Sequence, residues 1–410
     1  MPSTMAEQTM ELPPFRPTGT SFLKTCFNGL NALSGIGIIT LPYTLSQAGW
    51  LGLALLSTMA AVTCYTGLLL QRCIESDQLS KTYPEVGFSA FDRKGLVIIS
   101  VFMYLELYLV PTGFLIMEGD NLHKLFPDVG FQLGTHEIGG RQFFIVMAGL
   151  VVLPSMWLKD LSKLSCVSAC GVVSSLVVMG SIFWVGEFDG VGFRGKGTVL
   201  FDLSGVPKAL SLYAFCYGAH PVFPTLYSSM KDKSKFSKVL FISFGLSTLS
   251  YISVAGMGYS MFGRDTLSQV TLNLPGGKIS SKIAIYTAMA GPIAKYALII
   301  TPIAEAIEGS LPSPYNNRPT CILLRTLLLI STVIVALLFP FFGPLMALVG
   351  AALNVTVSIL FPCACYLKIS KAYQRWRLET VVIFGIIVFG FSIGVLGTYS
   401  SLKGIVKHAN

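Results

Sequence analysis

Residues 21–50 read SFLKTCFNGLNALSGIGIITLPYTLSQAGW, and the rest of the chain is organised around them. The stretch is long and apolar enough to cross a bilayer, and Lys24, near one end, is its only charge. Its centre, Ser34-Gly35-Ile36-Gly37, makes a poor helix: two glycines fall within three residues, and Pro42 follows. Each glycine costs about 1 kcal/mol relative to alanine in a helix interior. A backbone that leaves the helix inside lipid must find other partners for its N–H and C=O groups. Two readings are open for the stretch alone. One is a glycine-softened helix packed closely on a neighbour. The other is a helix broken at membrane depth, whose freed groups serve a ligand or line a cavity.

Composition sets the class. Hydrophobic residues make up 53% of the 410 and charged residues 12%, about half the charged share of a soluble domain. With a mean hydropathy of +0.68, the chain reads as a polytopic membrane protein. The first twenty residues are polar and proline-rich and contain no apolar run of the kind found in a cleavable signal peptide. The net charge of +9 fits orientation charges beside a membrane better than nucleic-acid binding. All nine cysteines fall within apolar runs or at their ends, so no external disulfide framework is expected, and Cys363-Ala-Cys365 reads as packing.

After the opening stretch, apolar runs fall at about 50–74, 95–118, 142–158, 164–186, 206–229, 239–261, 282–306, 320–340, 342–367 and 380–402, making eleven in all. The segment between the second and third, ESDQLSKTYPEVGFSAFDRKG, reads as a polar loop, and Pro154 blurs the end of the fourth. Of the 29 basic residues, eighteen lie on the side of the N-terminus, ten lie on the other side, and Lys295 sits inside a run. This bias predicts a cytosolic N-terminus and, with eleven spans, a luminal or external C-terminus.

A second interruption lies in VPKALSLYAFCYGAHPVFPTLYSSM, residues 206–230, with Gly218, Pro221 and Pro224 in mid-run. A proline costs about 3 kcal/mol in a helix interior. Runs one and six start 185 residues apart, and adding that offset to Ser34–Gly37 lands on Ala219–Val222. Two helices broken at corresponding places, five spans apart, predict an inverted repeat with a binding site at the midplane.

The runs 22–50, YLELYLVPTGFLIMEGDNL (104–122), FCYGAHPVFPTLYSSM (215–230) and AKYALIITPI (294–303) resemble the amino acid/auxin permease family. More narrowly, they resemble its plant vacuolar amino acid transporter branch, which is related to vesicular inhibitory amino acid transporters. The resemblance covers the chain from about residue 20. It implies an all-α, LeuT-like fold of two inverted five-helix repeats, about 21–186 and 206–367, followed by an eleventh helix at 380–402 and preceded by a disordered cytosolic tail at 1–20. It also implies proton-coupled amino acid transport across the vacuolar or another endomembrane, the plasma membrane being the alternative. No cofactor beyond the proton is expected, nor is nucleic acid; the partners are the amino acid and membrane lipid. Gly291 before Pro292 and Pro111 depart from the family pattern near candidate site helices, and both bear on substrate choice.

An amino acid brings a carboxylate and an ammonium into a low-dielectric cavity. By resemblance, the N–H groups of Gly35, Ile36 and Gly37 face the carboxylate at a positive half-helix end, assisted by the Ser34 and Thr40 hydroxyls. The carbonyls of Phe215, Cys216 and Tyr217, beside Gly218, face the ammonium. His220, the only histidine inside a run, is either a proton carrier or a neutral partner for backbone freed by Pro221 and Pro224. Glu106 and Lys295 each cost at least about 2.5 kcal/mol on insertion scales if unpaired. They lie at similar depths, so an ion pair between them is expected. That pair is either a register device or a coupling and gating group, in which Lys295 takes the place of a sodium ion in sodium-coupled relatives. Glu118 and Asp120 are placed at the outer mouth, where solvation and entry gating explain them equally well.

Against an amino acid carrier stand another cargo and two other classes. Auxin or another weak acid is the alternative cargo, and an amino acid sensor with little flux is a second class, disfavoured by short tails and loops. An intramembrane enzyme would need a second histidine, a catalytic aspartate motif or a serine–lysine pair beside His220, and the sequence shows none.

Overall fold

The computed structural model describes residues 19–76, 82–133, 136–157, 167–195, 197–312, 317–374 and 377–409. Most of the expected N-terminal tail, Lys81, Lys159, Lys163 and Cys166 lie outside the described residues.

Helices occupy every one of the eleven apolar runs. The first is split into α1 (Phe22–Leu33) and α2 (Gly37–Ala48). Then follow α3 (Gly52–Ser76), α4 (Tyr83–Leu125), α5 (Gly140–Met156) and α6 (Val167–Glu187). The sixth run is split into α7 (Val206–Cys216) and α8 (Phe223–Ser229), joined by a 3-10 turn at His220–Val222. After it come α9 (Phe236–Phe262), α10 (Ile279–Gly309) and α11 (Arg318–Leu338). The tenth run starts as α12 (Phe342–Leu348), passes through π-helical turns at Val349–Asn354 and Thr356–Leu360, and ends as α13 (Phe361–Ser370). The chain closes with α14 (Leu378–Ala409). Among the described residues, seven helical segments are by themselves long and apolar enough to cross a membrane.

One boundary differs from the sequence reading, and another, blurred there by Pro154, is placed. The polar loop expected before the third run is largely helical: α4 begins at Tyr83, where Thr82 and Glu85 form a capping box, and bends at Phe91-Asp92. Pro154 does not end α5, which continues to Met156. Among the described residues the helical rule is also relieved by one small antiparallel pair of strands, β1 (Phe131–Leu133) with β2 (His136–Ile138).

The elements alternate between two ends of the bundle. The basic end carries Thr20, Ser76, Met230 to Phe236 and the α10–α11 turn; the opposite end carries the 49–51, 188–205 and 263–278 connections. At the opposite end Gly49 has φ 77°, and a Cβ there would stand 2.7 Å from the Val199 carbonyl. Only glycine fits that turn, which docks on the 199–202 stretch of chain through Trp50 N–H to Val199 O (3.1 Å) and Leu51 N–H to Leu200 O (2.9 Å). At the basic end the segment before α1 is tied to the end of α8: Thr20 N–H donates to Ser229 O at 2.7 Å, and Lys231 N–H to Thr20 O at 3.1 Å. Arg325 on α11, nearly buried, forks onto Glu308 of α10 at 2.7 and 3.2 Å and reaches Met156 O of α5. The seven cysteines whose side chains are described are buried.

Candidate functional site

The two breaks meet. Ser34, Gly35 and Ile36 separate α1 from α2, and Tyr217 to Ala219 separate α7 from the turn that leads into α8. Gly37 is where they touch: a Cβ on it would lie 2.8 Å from Cys216 Sγ and 3.2 Å from Cys216 Cα. The absence of a side chain at Gly37 makes room for the other broken helix. Tyr251, fully buried on α9, fastens both breaks: its hydroxyl donates to Leu33 O at 2.5 Å and stands 3.1 Å from Cys216 O.

Beside this crossing lies a cavity of about 480 Å³, within the size range of small-molecule sites. Ser34, Gly35, Ile36, Gly37, Phe215, Cys216 and Gly218 line it, as do Glu106 and Lys295. It reaches Asn28 on α1 and Leu226 on α8, in the basic-end halves of both broken helices; toward the opposite end it reaches Ile39 on α2, Phe114 on α4 and Thr287 on α10. Its other walls are mostly apolar: Leu107, Val110, Val178, Leu298 and Ile299. Gly291, which departs from the family pattern, lines it too and has open space where a Cβ would go.

Three expected residues are elsewhere. Thr40 is fully buried and spends its hydroxyl on Gly37 O at 2.7 Å. Tyr217 turns away, its hydroxyl 2.9 Å from Thr248. His220 is fully buried outside the cavity wall, with Nε2 3.1 Å from Thr63 O and 3.0 Å from Thr66 Oγ1. Since Thr66 Oγ1 has Ser358 O as an acceptor at 2.7 Å, Nε2–H is the donor in the His220 contacts. These contacts tie the turn to α3, not to the backbone freed by Pro221 and Pro224, and His220 is not among the residues that line the cavity.

The broken backbones differ in what they leave free. Gly35 N–H is spent on Leu33 O at 2.8 Å. Ile36 and Gly37 N–H, at the start of α2, have no hydrogen-bond acceptor among the described residues. At the second break the carbonyls expected for the ammonium already have neighbours: Phe215 O accepts from Gly218 N–H (3.3 Å), Tyr217 O accepts from Ala219 N–H (2.9 Å), and Cys216 O stands 3.1 Å from the Tyr251 hydroxyl. A carbonyl has two lone pairs, so the Phe215 and Cys216 oxygens on the cavity side keep one each.

The expected Glu106–Lys295 ion pair is not formed. Lys295 Nζ donates to Asn31 O on α1 at 3.2 Å, close to Gly171 of α6. Glu106, 8% exposed, meets Asn354 in the π-helical stretch. With its amide turned so that Nδ2 faces the carboxylate, Asn354 donates to Oε1 at 2.7 Å and Oε2 at 3.3 Å. Similar depth brought the two charges to one cavity but to different walls of it. Asn354 was missed by sequence reasoning, and so were Asn31 and Tyr251. Asn354 also lies flush on the second break: a Cβ on Gly218 would stand 2.5 Å from its Cγ. The one signal for it was a lone asparagine in an apolar run.

Comparison with known proteins agrees with this architecture. A family model described as transmembrane amino acid transporter protein matches residues 18–403. The amino acid transporter AVT1I of Arabidopsis thaliana is 52% identical over 403 residues, covering 98% of this chain and 99% of that one. AVT1B of the same plant is 43% identical, covering 95% of this chain and 72% of its own length. Among solved structures, MhsT in complex with L-phenylalanine superposes with a TM-score of 0.57 at 11% identity, over 92% of this chain and all of MhsT. A substrate-bound, outward-open Na+-coupled sialic acid symporter gives 0.53 at 12% identity, over 92% and 89%. These likenesses show a LeuT-like fold.

Proposed function

The chain belongs to the transmembrane amino acid transporter family, that of the amino acid/auxin permeases, and on that premise we propose that it is a proton-coupled carrier moving amino acids across an endomembrane by alternating access. The observation that carries this reading is the pair of breaks crossing at one cavity, with two free N–H groups and two ionisable side chains in its walls. The substrate carboxylate sits at Ile36 and Gly37 N–H, where the positive end of α2 adds to the donors. The ammonium takes the remaining lone pairs of Phe215 and Cys216 O. Lys295 acts as a tethered cation between α10 and α1, where a sodium-coupled carrier of this fold would hold a metal ion. Glu106 carries the proton, and Asn354 follows it: Nδ2 donates to the ionised carboxylate, and the amide turned by 180° accepts from the neutral acid.

The basic bias of one end supports a cytosolic N-terminus and a luminal C-terminus, and the similarity to AVT1I and AVT1B supports amino acids as cargo. A vacuolar membrane is the expected site. Uptake into proteoliposomes across a panel of amino acids, with a pH gradient imposed in either direction, tests the reading. Accumulation of one or more amino acids in one gradient direction only is expected. Uptake of a weak monocarboxylic acid but of no amino acid would overturn it, as would binding without flux.

A further inference from the structure

Beyond the cavity, toward the opposite end, the bundle is sealed around a carboxyl group that no described protein atom holds. Glu118 on α4 is 2% exposed, and neither carboxylate oxygen has a hydrogen-bond partner among the described residues. At 3.6 residues per turn its direction from the helix axis lies about 20° from that of Leu107 and about 40° from that of Phe114. Both of those residues line the cavity. Glu118 therefore continues the cavity-facing stripe of α4 past the point where the cavity ends, one helical turn beyond Phe114.

The lid over it is polar and closed. Asp120 pairs with Arg141 of α5 at 2.5 Å and accepts from Gln269 Nε2 at 2.8 Å. Asn121 Nδ2 donates to Gln269 Oε1 at 2.6 Å. Lys124 donates to Leu272 O, and Arg141 to Pro340 O. Thr271, fully buried in the same lid, has a hydroxyl oxygen without a partner among the described residues, as has Asn121 Oδ1. The described charged groups that reach this end from the surrounding elements are all engaged elsewhere or exposed. Arg141 and Asp120 hold each other; Lys124 is held by Leu272 O; Lys208 on α7 donates to the Tyr43 hydroxyl; Arg264 pairs with Asp202 at 3.0 Å; Lys278 faces Asp189 at 3.9 Å; Lys282 is exposed on α10. His123 Nδ1 has no described partner and lies beside Gly140, on the α5 side. α11 and the loop 266–274 bring no ionisable side chain to this end. Among the described residues, no cation answers Glu118.

We propose that Glu118 is a second proton-binding site, outside the substrate cavity, whose neutral form holds the opposite end of the carrier closed and whose ionisation opens it. A carboxylate without a partner is expensive in a dry interior, whereas the neutral acid is tolerated there. When the lid of Gln269 and Thr271 parts, water reaches Glu118 and its proton leaves to that side. The closed form then holds one proton more than the open form, and linkage makes closure weaker as pH rises. This rests on the alternating-access reading above.

The test is the rate at which a membrane-impermeant maleimide labels Thr271→Cys in the purified full-length protein across a pH series. Each rate is divided by that of the Glu118→Gln/Thr271→Cys protein at the same pH, which removes the pH dependence of the thiol itself. The ratio should rise by up to about tenfold per pH unit above the range of an ordinary glutamate. Glu118→Met serves as a second neutral reference if the glutamine variant elutes as aggregate, and Glu118→Asp should keep the rise. A ratio that stays flat, or a Thr271→Cys protein that never labels, overturns the proposal. A flat ratio in protein that still accumulates amino acids sinks the gate alone; a rising ratio in protein that moves no amino acid sinks the carrier reading alone.

Discussion

Two glycines two residues apart in the first break answer to different demands. Gly37 is in contact with Cys216, so Gly37→Ala forces a methyl group to within 2.8 Å of its sulfur. Overpacking of this kind costs about 1–3 kcal/mol. The expected outcome is a lower melting temperature for Gly37→Ala, partly restored by Cys216→Ala, measured by thermal unfolding in detergent. Gly35 has nothing within 4 Å of where its Cβ would be. Gly35→Val should therefore leave the melting temperature near that of the wild type while weakening substrate binding, because the new side chain grows into the cavity. Loss of folding in Gly35→Val, with unchanged behaviour in Gly37→Ala, would reverse the assignment. Glu106 and Lys295 offer a further test at this scale. They share no partner, so the effects of Glu106→Gln and Lys295→Met on stability should add within about 0.5 kcal/mol. A coupling of several kcal/mol would restore the ion pair.

At the scale of elements, what the sequence announces is local and what it hides is tertiary. Glycine and proline act on their own stretch of backbone, so both breaks could be placed from Ser34–Gly37 and from Gly218, Pro221 and Pro224. Depth along a helix could also be counted, which put Glu106 and Lys295 at one cavity. Counting residues does not give the direction a side chain takes around the bundle, and for that reason the pairing of these two failed. Asn354 escaped for a related cause: it stands in a π-helical stretch, and nothing in VGAALNVTVSIL marks the change from α-helical to π-helical turns. Tyr251 sits in an unbroken helix, and its role is set by where the carbonyls of Leu33 and Cys216 arrive. Tyr251→Phe removes the hydroxyl that touches both breaks. It should cost about 1 kcal/mol of stability and raise hydrogen exchange at Ser34 to Gly37 and at Tyr217 to Ala219. Exchange raised at only one break would show that the hydroxyl serves that break alone.

For the whole molecule, the two broken helices are joined at three heights. Thr20 and Ser229 tie their basic ends, Tyr251 ties the breaks, and Gly37 packs on Cys216 just beyond Leu33. The cavity reaches toward the basic end while the opposite end is sealed at Glu118, Asn121 and Thr271. On the proposed reading this is a carrier facing one side, with Glu106 in the cavity wall and Glu118 among the residues that close the opposite end. The claim that Glu106 carries the proton is tested most directly by comparing two fluxes in one variant. Proteoliposomes holding Glu106→Gln are assayed for exchange of labelled against unlabelled amino acid at equal pH, and for accumulation driven by a pH gradient. The account predicts that exchange persists while accumulation falls to the level set by leak. Accumulation equal to that of the wild type would contradict it.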